Sequence, residues 1–344
     1  MAKKHTHKKH TKKHAKKHTK KHAKKHTKKH TKKHSKILKN KRVFTFKCNT
    51  SNILKELLLK YGFKEELTDN CVDFSAWDTY KVPNCSSSIQ FIDRNYISPI
   101  DNKRTFYYII DSLNLNKHIP KTYPNVSKIN DTMLDKSKLY FLKNIHGSGG
   151  KDVYPVKSMS DIHNIVKGSL DNYLLQEEVP NMYLHNGSKT TMRNYVLLCE
   201  YGVFFYKEGY VYLYTKKYNR NSLDIEIHNT GSVCQYNGTN CIYEKLSIQP
   251  YYHIIFPQLC NICSSILNNY LKGVPSNNKY IILGIDFIID NNYKPYIIEI
   301  NGFPCLSKTG VVEVKYDMLN DFITMYVLPK VSGSKPKLGG WIKI

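Results

Sequence analysis

The chain reads as a mixed α/β (α+β) protein in which a small N-terminal α/β domain follows a disordered basic tail. Three features carry that reading. Short β-branched and aromatic runs recur between turn residues, as in Tyr140 to Lys143, Val153 to Val156 and Thr191 to Glu200. Stretches of helical period stand among them, notably Ser51 to Tyr61 and Pro257 to Leu271. Finally, Ile281 to Pro304, IILGIDFIIDNNYKPYIIEINGFP, has the form of a β-hairpin with acidic side chains on one face.

The first 34 residues hold sixteen lysines and no acid, and from His10 to His34 a histidine falls at every fourth position. With no large apolar residue between Met1 and Ile37, residues 1–36 cannot offset their ordering entropy and are expected to be disordered. The lysines suit phosphates through counterion release, hence non-specific nucleic-acid binding, and the spaced histidines suit a transition metal. A solvated, solubilising tail is the plainer alternative. The rest of the chain keeps a basic excess of about ten charges, which favours a polyanionic partner or an acidic substrate. Nine cysteines without framework spacing, and no signal peptide ahead of them, predict reduced thiols in a cytosolic compartment. Cys260 and Cys263 form a lone C-x-x-C inside a helical pattern and are read as core thiols. No apolar run approaches the ~20 residues of a membrane span, so no membrane partner is expected.

In chain order, residues 37–118 form the first domain. Ser51 is the expected cap of a helix that stops at Gly62, and Asp73 to Trp77 with Ile97 to Asp111 complete a small α/β unit that includes Asp101, Lys103 and Arg104. Pro120 and Pro124 mark a boundary. Residues 119–180 hold a strand, the loop IHGSGGKD and a second strand; Gly147, Gly149 and Gly150 let backbone amides approach phosphate oxygens, although a plain hairpin turn fits as well. Tyr173 to Val179 is a buried strand that turns polar at Gln176, Glu177 and Glu178. Residues 181–330 begin with strands Thr191 to Glu200 and Val203 to Tyr206. Arg193 is embedded among apolar residues there and needs an anion, either a glutamate of the fold or a ligand. Tyr212 to Asn219 suits an edge strand or a nucleic-acid surface; His228, Thr230 and Ser232 lie in a loop. Pro257 opens a helix, Val311 to Leu328 closes the domain, and residues 331–344 read as a linker with a sticky end.

On the hairpin, strand alternation puts Asp286 and Asp290 on one face and Glu299 and Asn301 on one face. A loop of about four residues centred on Asn292 and Tyr293 sets Asp286 opposite Glu299, with Pro295 opening the second strand. Opposed carboxylates about 5 Å apart repel unless a cation or a proton lies between them, and Mg2+ arriving with a nucleotide's phosphates fits. Solvated acids on an ordinary hairpin are the alternative, disfavoured by the apolar setting.

Together these stretches resemble the ATP-grasp fold, and more closely its tubulin–tyrosine ligase-like family. The resemblance covers roughly residues 90–330. FLKNIHGSGG matches the family's strand lysine and glycine loop, LLQEEV its hinge strand, and KTTMRNYVL at Lys189 to Leu197 its K-F-D-I-R-x-Y-V-L segment. YKEG at Tyr206 to Gly209 and His228 to Thr230 match two further turns. Gly284, Asp286, Glu299 and Asn301 match the signature G-x-D-(x12)-E-x-N.

The resemblance implies an ATP-dependent carboxylate–amine ligase that adds a free amino acid to a protein or peptide acceptor through an acyl phosphate. Lys143 and Lys189 would hold ATP phosphates with the loop glycines, Gln176 is the hinge-strand glutamine of the nucleotide site, and Glu177, Glu178 and Val179 would face the adenine. Thr191 and Thr230 fall in nucleotide-binding segments. Asp286, Glu299 and Asn301 would bind Mg2+, Arg193 would bind the acceptor carboxylate or the acyl phosphate made from it, and Lys103 would correspond to a lysine near the acceptor site. Three positions depart from the pattern: Thr191 and Gly231 replace an Asp and an Asn, and Tyr212 stands where tubulin-modifying members keep a second arginine. Acceptor identity, including an acidic tubulin-like tail, therefore stays open. A polyanion-binding protein with a degenerate body and a ligase for a small molecule are the competing readings.

Overall fold

Strand β10, Ser188–Cys199, is the axis of the molecule. All twelve of its residues are buried, which its apolar stretch from Tyr195 to Cys199 explains. The computed structural model describes residues 42–48, 52–68, 70–76, 85, 88–147, 150, 152–228, 241–270, 277–308 and 310–344. The Lys/His tail, Gly149, Thr230, Gly231 and Ser232 lie outside them.

Three sheets are present among these residues. A small parallel sheet joins β1 (Thr45–Lys47) to β2 (Lys64–Glu65) and β3 (Phe74–Ser75). Helix Asn52–Lys60 buries Ile53, Leu54, Leu57 and Leu58, and ends at Gly62, whose φ of +84° is a conformation glycine adopts without a Cβ penalty. Next in the chain comes β4 (Gln90–Phe91), which joins the large sheet described below. A four-stranded antiparallel sheet orders β5 (Thr122–Tyr123), β8 (Tyr173–Glu177), β6 (Tyr140–Asn144) and β7 (Val153–Val156). Its Tyr140, Leu142 and Leu175 pack on Met159 and Ile162. Alternation therefore turns Phe141, Lys143 and Gln176 to the opposite face.

The nine-stranded sheet runs β13 (Cys241–Lys245), β12 (Tyr210–Lys217), β10, β11 (Gly202–Tyr206), β16 (Trp341–Lys343), with β9 (Leu184–His185) and β14 (Lys279–Ile289) also on β10, and with β15 (Pro295–Asn301) and β4 on β14. Met192, Val196 and Leu198 contribute to one core with helix Tyr252–Tyr270. Tyr195, Leu197 and Cys199 point into the other, against helices Asn52–Lys60 and Val312–Phe322. Side chains of period two thus divide one strand between two cores.

Several sequence expectations are corrected. The last residues are not a linker: Trp341–Lys343 pair with Phe204–Tyr206, and Trp341 is buried against the Tyr206 ring, centroids 4.9 Å apart. Pro257 lies inside helix Tyr252–Tyr270, whose first turn precedes it. The closing helix continues through a π-helical turn, Ile323–Val327, to Ser332. Strand β12 is covered on both sides, so it is not an edge. His228 ends a helical turn, Ile225–His228, and is buried. Cysteines are not all reduced: Cys71 and Cys85 form a disulfide, Cys241 is also disulfide-bonded, and Cys199, Cys260 and Cys263 are thiols. Cys263 is a core thiol as expected. Among the described residues no helix is long and apolar enough to cross a membrane.

Candidate nucleotide and metal site

The β14–β15 hairpin reaches the expected opposition by a different route. Ile289 pairs with Pro295, so the loop has five residues, Asp290 to Lys294, and the register near the turn is one residue off that needed to oppose Asp286 and Glu299. A bulge between Asp286 and Phe287 restores it, and Asp286 does pair with Glu299. Asp290 closes the turn instead of sharing the acidic face, its Oδ1 accepting from the Asn292 and Lys294 amides at 2.9 Å each.

Across β10 the same row continues, because Arg193 pairs with Asp286 on one side and with Tyr210 on the other. Arg193 Nε and Nη2 donate to Asp286 Oδ1 and Oδ2 at 2.5 and 2.7 Å, a bidentate fork. Gly284 makes room for it, since a Cβ there would stand 3.0 Å from Arg193 Nη1 and 2.8 Å from the Pro304 Cβ. Asn301 Nδ2 donates to Asp286 Oδ2 at 3.2 Å. Burial raises the Asp286 pKa, opposed by the Arg193 charge and reinforced by Glu299.

Helix Lys103–Ser112 starts at Asn102, whose side chain accepts from the Arg104 and Thr105 amides. This cap sets Lys103 in the first turn, where Nζ lies 3.0 Å from Glu299 Oε1 and donates to the Gly147 carbonyl at 2.5 Å. The helix is held to the four-stranded sheet by Arg104, which donates to the carbonyls of Pro124, Asp171 and Tyr173. Asp101, the last residue of the preceding helix Arg94–Asp101, accepts from the Gly302 amide at 2.8 Å, and burial raises its pKa. No sequence motif marked Asp101 as a partner of the metal segment, because the contact spans 201 positions of chain.

Lys143 and Lys189 complete the basic side. Lys143 Nζ donates to Gln176 Oε1 at 2.6 Å, and Gln176 Nε2 donates to Thr122 Oγ1 at 3.0 Å. Burial pulls the Lys143 pKa down to about 8. Lys189 donates to the His228 carbonyl at 2.6 Å and lies 4.6 Å over the Phe141 ring; burial, then the Lys143 charge, pull it to about 7. A cleft open to solvent is lined by Lys103, Lys143, Gln176, Glu299 and Asp101, with Ile300 among its apolar walls.

Elsewhere, the Glu177 carboxylate is taken up by Lys121, Lys138 and the Tyr123 hydroxyl at 2.8–2.9 Å. Glu178 pairs with Arg220, and Val179 packs with Met182, Ile288 and Tyr296. Thr191 is buried opposite Tyr212. Gly147 is close-packed, a Cβ there standing 3.0 Å from Asp152, and Gly150 has a φ of +72°. Lys315 gave no sequence signal beyond a charge on an apolar helix face; it is buried and donates to the Ser307 carbonyl.

Among the described residues no three histidine, cysteine or acidic side chains gather as a metal cage. Two opposed carboxylates and an amide are instead an all-oxygen set that fits a hard ion such as Mg2+, which needs only one or two carboxylates when phosphates supply the rest. Glu299 is the member that reaches the cleft.

A family model described as the tubulin-tyrosine ligase family matches residues 76–248 and 244–335. Relatives include a probable tubulin polyglutamylase ttll-9 of Caenorhabditis elegans, 22% identical over 283 residues that make up 74% of this chain and 63% of that protein. A probable tubulin polyglutamylase TTLL9 of Rattus norvegicus is 25% identical over 223 residues, 58% of this chain and 47% of its own. Tubulin glycylase 3B of Tetrahymena thermophila is 24% identical over 189 residues, 48% and 16% respectively. The chain thus spans less than two thirds of each of these relatives. The matched residues take in the Arg193, Asp286 and Glu299 row with Lys143 and Lys189, and the chain belongs to the tubulin-tyrosine ligase family.

Proposed function

We propose that the protein is an ATP-dependent carboxylate–amine ligase that adds an amino acid to a protein or peptide acceptor. The observation that carries the reading is the row Arg193, Asp286 and Glu299 across three adjacent strands, with Lys103 on Glu299. Polyglutamylase and glycylase relatives support an amino-acid-adding ligase. A carboxylate is a poor acyl donor, and Mg2+-bound ATP, when present, supplies the phosphoryl group that converts it to an acyl phosphate open to attack by an amine.

The chain's own residues act by holding and orienting. Asp286, Glu299 and Asn301 are the residues that would hold the metal. Lys143 and Lys189, each depressed by burial without a paired carboxylate at hydrogen-bond distance, gain an anion when a triphosphate enters, which favours their charged forms. Arg193 and Lys103, at opposite ends of the acidic pair, are the cations that would orient the acceptor carboxylate, a positioning effect gained before reaction. Tyr212, in place of a second arginine, bears on which acceptor is taken, and the basic body suits an acidic peptide drawn in by long-range attraction.

The test is calorimetry of Mg2+-dependent ATP binding by the full chain and by its Glu299→Gln variant, followed by incorporation of labelled amino acids into acidic peptides. Binding that weakens in the variant supports the reading. A folded protein that binds no nucleotide overturns it.

A further inference from the structure

Lys315 is a buried cation that the chemistry proposed above does not use. It stands in the first turn of helix Val312–Phe322, 2% exposed, on a face shared with the core residues Val314 and Met318. Its Nζ donates to the Ser307 carbonyl at 3.2 Å. Glu313, on the same turn, is turned outward to Lys245 at 2.7 Å, its side chain 75% exposed. A methionine would fill the space of Lys315 without taking a charge out of water, so packing alone does not account for a lysine there. Burial pulls the Lys315 pKa down; the Cys305 charge opposes this and the Arg193 charge adds to it.

The helix packs on the sheet face that Tyr195 and Leu197 share with Arg193 by alternation. On that face the row from the acidic hairpin runs Glu299, Asp286, Arg193 and then Tyr210, the partner of Arg193 on β12. Tyr210, Tyr212 and Tyr243 form a group of rings with centroids 5.2–6.0 Å apart, and the Tyr212 hydroxyl lies 3.4 Å from that of Tyr210. Tyr210 is buried, whereas Tyr212 and Tyr243 are half-buried. The segment after Pro304 runs over them: a Cβ at Gly310 would stand 3.2 Å from the Tyr243 ring, and Cys305 acts electrostatically on both Tyr243 and Lys315. An ammonium and phenolic hydroxyls gathered on one face suit a carboxylate, whose oxygens accept hydrogen bonds and bring the opposite charge.

Joining an amino acid to an acceptor through its amine involves two carboxylates with opposite needs. The acceptor's is to be activated, and the amino acid's own is to be spared. The tyrosines lie on the side of Arg193 away from Asp286 and Glu299, so a carboxylate held there is kept apart from the metal residues. We propose that Lys315, with Tyr212 and Tyr243, binds the α-carboxylate of the amino acid being added. The inference rests on the ligase reading above and adds to it a substrate group and the residues that select it. A subsite built around a cation rejects the analogue in which the carboxylate is a neutral amide, because the buried charge then goes uncompensated.

The test offers the full chain Mg2+, ATP, an acidic peptide and the protein-forming amino acids singly, reads addition by the peptide's mass, and compares each amino acid that is added with its α-carboxamide. For the native protein kcat/KM for the amide is expected to be about ten- to a hundred-fold lower, the range of a hydrogen bond to a charged group. In Lys315→Met the KM for the amino acid rises by a similar factor, the gap to the amide narrows to within about three-fold, and ATP affinity by calorimetry stays within about three-fold of native. Lys315→Arg keeps part of the gap. Equal use of acid and amide by the native protein overturns the subsite and leaves the ligase reading standing. A gap unchanged in Lys315→Met, or ATP binding lost with it, overturns the role of Lys315, and a protein that adds no amino acid overturns both readings. The native comparison needs no substitution, so it decides the matter even where a variant does not fold.

Discussion

Arg193 and Asp286 face each other across β10 and β14 with both bonds of a guanidinium–carboxylate fork formed, and each side chain is at most 14% exposed. The pair therefore belongs to the fold as well as to the proposed chemistry. Removing one partner leaves a buried charge uncompensated. Asp286→Asn is expected to cost about 3–5 kcal/mol by urea denaturation, whereas replacing both residues by apolar ones recovers much of the loss. A single variant within about 1 kcal/mol of the native protein would contradict this account.

Gly284 is the second support of that fork. Gly284→Ala puts a methyl group into Pro304 and the Arg193 guanidinium at 2.8–3.0 Å, so one of them has to move. A loss of about 1–3 kcal/mol is expected, with weaker Mg2+-dependent nucleotide binding than the stability loss alone accounts for. Native affinity in a folded variant would show that the close approach does not matter.

Lys189 sets a pH dependence. Its folded pKa of about 7 lies below the ordinary 10.5, so its buried charge costs stability fully below pH 7, and the cost fades as pH rises from 7 towards 10.5. Lys189→Met should gain stability relative to the native protein at pH 6 and lose that advantage near pH 10.5. Nucleotide binding, which needs the charge, should take up a proton above pH 7 and weaken with rising pH. Binding heats that do not depend on the buffer's ionisation enthalpy at pH 8 would refute this.

The chain's last strand is structural. Truncation after Gly340 removes Trp341 from a core it shares with Tyr206 and uncovers the edge of β11. A loss of about 3–5 kcal/mol and a tendency to aggregate are expected. Unchanged thermal unfolding would show that β16 is dispensable.

Local chemistry made part of the site legible in advance. The alternation of FIID and IIEIN predicted that Asp286 opposes Glu299, which a bulge between Asp286 and Phe287 brings about, and the apolar surroundings of Arg193 were enough to require an anion. Which anion was not readable, because the partner stands 93 positions away and was chosen by the antiparallel pairing of β10 with β14. Even the hairpin's register near its turn was misjudged, since Asp290 caps a five-residue loop and the missing residue reappears as a bulge. The Cys71–Cys85 disulfide and the closing strand escaped for a related reason: neither spacing nor composition says which distant segments meet.

By itself the sequence determined the strand and helix periods, the basic balance, the acidic hairpin and the resemblance that the family match later bore out, since each depends on side chains near one another in the chain or on totals over it. Tertiary structure alone decided that Lys103 lies on Glu299, that Asp101 holds the Gly302 amide, that Lys143 meets Gln176, and that Glu178 keeps one buried oxygen without a donor. Those relations arise when separate sheets and helices pack. Burial then sets the pKa values of both lysines, and the need to satisfy buried polar atoms sets what the cleft can accept.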